Sequence, residues 1–165
     1  MARPTQTGST TILPEADDGS NATHANLFGL SIPSGVTTGH VTINVTTADN
    51  SANTYDIGLY QGTAGGTNAL IAHTGPLAGS SINGGATGYV TLAWTAPVTL
   101  APGRYYLMLF GNEASPILQI GGYSSPSFFH NTSFAVTPLN GGVPASITGP
   151  ADAWGAPTNP WIVLN

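Results

Sequence analysis

Residues 40–47, HVTINVTT, set Val41, Ile43 and Val45 in strict alternation with Thr42, Asn44 and Thr46. A period of two is the pattern of a strand with one buried and one wet face. It returns in YVTLAWTA, residues 89–96, where Val90, Leu92 and Trp94 alternate with Tyr89, Thr91 and Ala93. Pro97 follows and marks either the end of this strand or an edge position, because proline cannot donate to a ladder. Most of the 22 glycines and 13 prolines fall between such runs, and no segment carries a helical apolar stripe. Turn signals about every 8–12 residues predict an all-β chain, an antiparallel β-sandwich of jelly-roll-like type.

Other strand candidates follow from the same reading. They are LFGLSI (27–32), YDIGLY (55–60) returning through a glycine-rich turn to ALIAHT (69–74), ILQIGGY (117–123), SFFHNTSFAVT (127–137), ASIT (145–148) and WIVLN (161–165). The run RYYLMLFG, 104–111, differs because both of its faces are apolar. Tyr105, Leu107 and Leu109 lie on one and Tyr106, Met108 and Phe110 on the other. That pattern belongs to a central strand covered on both sides. One face fills the sandwich, and the other needs either the long segment 138–160 or a neighbouring subunit.

A chain of 165 residues suits one domain. Residues 1–25 lack sustained periodicity and read as an extended N-terminal arm, with the sandwich spanning 26–165. Two Lys and Arg residues together, against seven Asp and Glu, leave a formal charge of −5. Such a surface cannot neutralise many phosphates, which argues against nucleic acid as a partner. No apolar run approaches the roughly 18 residues of a membrane-spanning helix. With no cysteine, thiolate metal sites and disulfides are excluded. Of the two basic residues, Arg104 sits at the wet start of its strand, where Glu113 or Asp56 would be its carboxylate partner.

No constellation for catalysis is present. The histidines lack metal-ligand spacing, no GxSxG elbow occurs, and the seven carboxylates are thinly spread. The expectation is a non-enzymatic protein without a cofactor. Two binding sites are nevertheless written in residue types. ADNSANTYD offers Asp49, Asn50, Asn53 and Asp56 as hard oxygen ligands for calcium, or as turn residues that bond nearby backbone. Tyr123, Trp154 and Trp161 lie in or beside glycine- and proline-rich segments, either to stack on sugar rings or to lock those loops onto the sandwich.

Three stretches carry a resemblance. Asp56–Tyr60 (DIGLY), Tyr89–Trp94 (YVTLAW) and Leu100–Leu107 (LAPGRYYL) resemble a recurring pattern in β-sandwich domains of tailed-bacteriophage virion proteins. The resemblance spans about residues 27–121 and implies a capsid decoration, tail or fibre component that assembles with copies of itself and other virion proteins. It implies no catalytic residues. Secreted jelly-roll domains and carbohydrate-binding modules carry a similar pattern, which makes a glycan- or host-receptor-binding module the alternative. The N-terminus shows no signal-peptide pattern, so the expectation is a virion part assembled in the host cytoplasm, with an extracellular location as the alternative.

Overall fold

A computed structural model describes the backbone of residues 10–12, 15–16, 23–63, 65–111, 118–124, 131–136, 142–148, 158–160 and 162–165, and the side chains of residues 30, 32–63, 65–111, 118–121, 142–148 and 162–165. Among the described residues, fourteen strands follow in chain order. The first seven are β1 (Thr10–Ile12), β2 (Glu15–Ala16), β3 (Thr23–Ile32), β4 (Val36–Thr47), β5 (Thr54–Gln61), β6 (Thr67–His73) and β7 (Leu77–Ala78). After a short 3₁₀ segment, Gly79–Gly85, come β8 (Gly88–Leu100), β9 (Gly103–Gly111), β10 (Gln119–Ser124), β11 (Asn131–Val136), β12 (Ser146–Thr148), β13 (Thr158–Pro160) and β14 (Ile162–Leu164).

They form two sheets. The first runs β1-β10-β4-β14, with β8 on β4 and β13 on β10. The second runs β11-β3-β9-β5-β6-β12, with β2 on β9 and β7 on β5. All pairs are antiparallel except β2 with β9, where Glu15 and Ala16 lie beside Phe110 and Gly111. The expected antiparallel β-sandwich is therefore present. The described parts of the arm pair within the same chain: β1 joins the first sheet through β10, and β2 joins the second through β9.

Alternation decides what lies between the sheets. Val41, Ile43 and Val45 of β4, Leu92 and Trp94 of β8, and Ile120 of β10 meet Tyr55, Ile57 and Leu59 of β5 and Tyr105, Leu107 and Leu109 of β9. Each such aliphatic side chain contributes about 1.5–3 kcal/mol by leaving water. Their odd/even neighbours Thr42, Thr91 and Tyr89 stay on the outer side, with Tyr89 56% exposed.

Strand β8 continues through Pro97 to Leu100. Its register against β4 shifts between Thr38 and His40, so the proline falls opposite a bulge. Among the described residues β8 pairs with β4 alone, which makes it the edge position that Pro97 allows. β9 is central as its double apolar pattern requires, with β3 on one side and β5 on the other. Its second face belongs to a separate cluster of Tyr60, Tyr106, Met108, Phe110 and Ile147, joined by Leu70 and Val143. The cover is thus supplied by the chain itself. Residues 142–148 cross this face, and β12 pairs with the edge strand β6.

Candidate functional site

Two buried carboxylates define the polar chemistry of the sandwich, and strand β5 separates them. Tyr55 and Asp56 are consecutive, so their side chains leave opposite faces of the sheet. Tyr55 points into the space between the sheets, where its hydroxyl donates to Asp49 Oδ2 at 2.6 Å. Asp56 points to the other face, beneath residues 142–143.

Asp49 lies near the start of the β4–β5 connection and is 1% exposed. Its Oδ1 accepts the Ser51 backbone N–H at 2.8 Å, and its Oδ2 accepts the Asn53 side-chain amide at 2.9 Å besides the Tyr55 hydroxyl. Ser51 in turn accepts the Asn53 backbone N–H through Oγ at 3.0 Å. Burial alone would raise the Asp49 pKa. Hydrogen bonds from Ser51, Tyr55 and Asn53 outweigh it and hold the carboxyl below its usual range. Gly79 packs against this turn so closely that a Cβ would lie 2.8 Å from the Asp49 carbonyl oxygen, while its N–H donates to Asn53 O at 2.7 Å. The Tyr55 hydroxyl also accepts the Leu118 backbone N–H at 3.2 Å, tying the loop to the entrance of β10.

Asp56 is equally enclosed. Oδ2 lies 3.0 Å from His73 Nδ1 and accepts the Val143 N–H at 3.3 Å. Oδ1 accepts the Thr74 hydroxyl at 3.0 Å. The Thr74 Oγ1 also accepts the Ile57 N–H at 3.0 Å. Asp56 thus joins β5, the end of β6 and the covering segment. Nearby, the Tyr60 hydroxyl donates to Pro144 O at 2.7 Å; burial, and then the charge of Asp56, push its pKa upward.

The four residues read as calcium ligands do not converge. Asp49 and Asn53 meet, but through the Asn53 amide N–H, which is a donor and not a metal ligand. Asn50 is exposed and sets its side chain over Gly85. Asp56 occupies the opposite face of the sheet. Among the described residues no group of three or more His, Asp or Glu is placed to hold a metal ion. The turn alternative is the one this geometry follows, with Asp49 bonding backbone two residues ahead. Arg104 is exposed at the start of β9, and the side chain beside Asp56 is that of His73 instead; Glu113 lies outside the described residues.

Of the aromatic trio, Tyr123 is placed in β10 by its backbone, opposite Asn159 of β13. Trp154 and Trp161 lie outside the described residues. The sequence reading missed the exposed ring at Tyr89 as a surface feature, although its place opposite Leu92 and Trp94 in the alternation was the available signal. It also missed the Asp56–His73 pair, since residues 17 apart reveal no contact without the hairpin register. Among the described residues no helix is long and apolar enough to cross a membrane. The chain matches no family model, no curated protein and no solved structure.

Proposed function

We propose that the chain is a non-enzymatic structural subunit of a tailed-bacteriophage virion, a capsid decoration or a tail or fibre component. It acts through contacts with copies of itself and with other virion proteins. The phage setting rests on the resemblance carried by residues 56–60, 89–94 and 100–107.

The observation that supports assembly most directly is the edge of β8. This strand is thirteen residues long, contains no charged side chain, and pairs only with β4 among the described residues. Sheet edges are templates for further pairing, and proteins that stay monomeric guard them with charges, lysine above all. This chain has no lysine anywhere. Pro97 and the bulge interrupt one end and leave Gly88–Ala93 as a regular, neutral edge in register with β4. The buried carboxylates fit a structural role as well, because both are tied to internal partners.

Light scattering on the full chain tests this. At roughly 0.1 mM, where a micromolar interface is saturated, a multimer is expected, with a smaller mass for Ala93→Lys on the exposed side of β8. A monomer at that concentration would overturn the assembly reading. Absence of the chain from purified particles of a phage that encodes it would overturn the virion setting.

A further inference from the structure

We propose that the outer face of β4 and β8 is a binding platform for a neutral glycan, with Tyr89 as its stacking ring and Asn44, Thr42 and Thr91 as its polar partners. None of these positions is a ligand candidate in the sequence reading, and the platform is independent of the assembly role.

The register builds the site. Tyr89 pairs with Asn44, and Thr91 pairs with Thr42 one step along the same face. The two rows are about 7 Å apart, two residues of strand rise. All four side chains stand away from the core, because Val41, Ile43, Val45, Leu92 and Trp94 occupy the opposite face. Tyr89 is the most exposed large hydrophobic residue described, at 56%. Gly121 of β10 makes room for the Asn44 side chain, since a Cβ there would lie 2.8 Å from Asn44 Nδ2.

The hydroxyl accounting leaves a donor for a ligand. Thr42 Oγ1 and Thr91 Oγ1 are 2.8 Å apart, and Asn165 Nδ2 donates to Thr42 Oγ1 at 2.7 Å. A hydroxyl carries one hydrogen and two lone pairs. Whichever threonine donates within the pair, the other keeps its hydrogen.

The chemistry of the occupant follows from what the platform holds. It sets one exposed aromatic ring among hydroxyls and a side-chain amide, with no formal charge. A pyranose is amphipathic in the same way: an apolar C–H face suits the ring, and a rim of hydroxyls suits Thr91, Thr42 and Asn44. The neutrality of the face argues against sulfated or uronic glycans, which cationic side chains recognise. A protein interface of ordinary size would instead need a larger apolar core.

The test is a titration of the isotope-labelled full chain, followed by amide NMR. The probes are maltohexaose, cellohexaose, chitohexaose and mannohexaose, with a hyaluronan hexasaccharide as anionic control. At least one neutral hexaose is expected to shift resonances of β4 and β8. Tyr89→Ala should weaken that binding about tenfold, Tyr89→Phe should retain it, and Thr91→Val should weaken it about threefold. Circular dichroism establishes that each variant is folded, and Tyr89→Ser replaces Tyr89→Ala if the latter is not. No shift with any neutral probe would overturn the proposal. So would equal binding by folded Tyr89→Ala, or tighter binding of the anionic control. A monomeric chain that passes this test would keep the platform and remove the assembly reading, so the two fail separately.

Discussion

The Tyr55 hydroxyl reaches Asp49 Oδ2 at 2.6 Å and fastens the β4–β5 loop to the centre of the second sheet. The bond is short because one partner is ionised. It lies between the sheets, where water cannot replace it. Three other donors, from Ser51, Asn53 and Leu118, depend on the same pair of residues for an acceptor.

Asp49→Asn should therefore destabilise the fold by about 2–3 kcal/mol at neutral pH, since an amide turns a donor toward donors and leaves them unsatisfied. The pH dependence has a definite sign. The folded carboxyl is held below the usual range, so its contribution is complete above the unfolded pKa of about 4 and is lost as pH falls through the lower folded value. Denaturant titrations of both proteins between neutral and acid pH should show the stability gap closing below about pH 4. A gap that stays constant into acid would contradict the assignment.

On the other face of β5, Asp56→Ala removes the acceptor for the Thr74 hydroxyl, the Val143 N–H and the His73 ring at once. A loss of about 2–4 kcal/mol is expected. Because one partner lies in the covering segment, hydrogen exchange should accelerate at Val143 and Leu70, whose N–H donates to Ala145 O at 2.9 Å. Acceleration confined to β5 and β6, with the cover unaffected, would show that Asp56 does not anchor it.

The alternation in β4 and β8 made the sandwich legible, because a two-residue period fixes which side chains face the core regardless of what the core is. RYYLMLFG also declared its own double burial. What remained open was the identity of the cover, and the reason is physical. Segment 142–148 carries one strongly apolar position in β12, Ile147, and is held by register with β6, by a hydrogen bond that Pro144 O accepts from Tyr60 and by one that Val143 donates to Asp56, none of which leaves a period in the sequence. The calcium reading failed to assemble for a related reason. Four oxygen-bearing residues within eight positions look like a cluster, but the strand that begins at Thr54 sends Tyr55 and Asp56 to opposite faces.

If the cover is part of the folded core, Ile147→Ala should cost about 2–4 kcal/mol, as for a buried large-to-small change, even though it lies between loops. The variant should bind a hydrophobic dye through the face formed by Tyr60, Tyr106, Met108 and Phe110. A cost within about 0.5 kcal/mol, typical of surface substitutions, would mean that residues 142–148 rest on this face without stabilising it.

Thr38 supplies the last test, at the bulge where β4 and β8 change register. It is fully buried, and its Oγ1 accepts the Trp94 indole N–H at 3.2 Å while its hydrogen is shared between His40 O and Asn165 O, both at 2.8 Å. Asn165 O also accepts the N–H groups of Gly39 and His40 at 2.8 and 3.0 Å, so the residue after β14 is pinned to the same point. Thr38→Val keeps the volume and removes the hydroxyl. The indole N–H then loses its acceptor inside the core, at a cost of about 1–3 kcal/mol. Trp94→Phe should cost less in the Thr38→Val background than in the wild type, because there it deletes a stranded donor rather than a made hydrogen bond. The double-mutant cycle measures the coupling. Strict additivity would mean that the indole–hydroxyl contact does not hold the bulge in place.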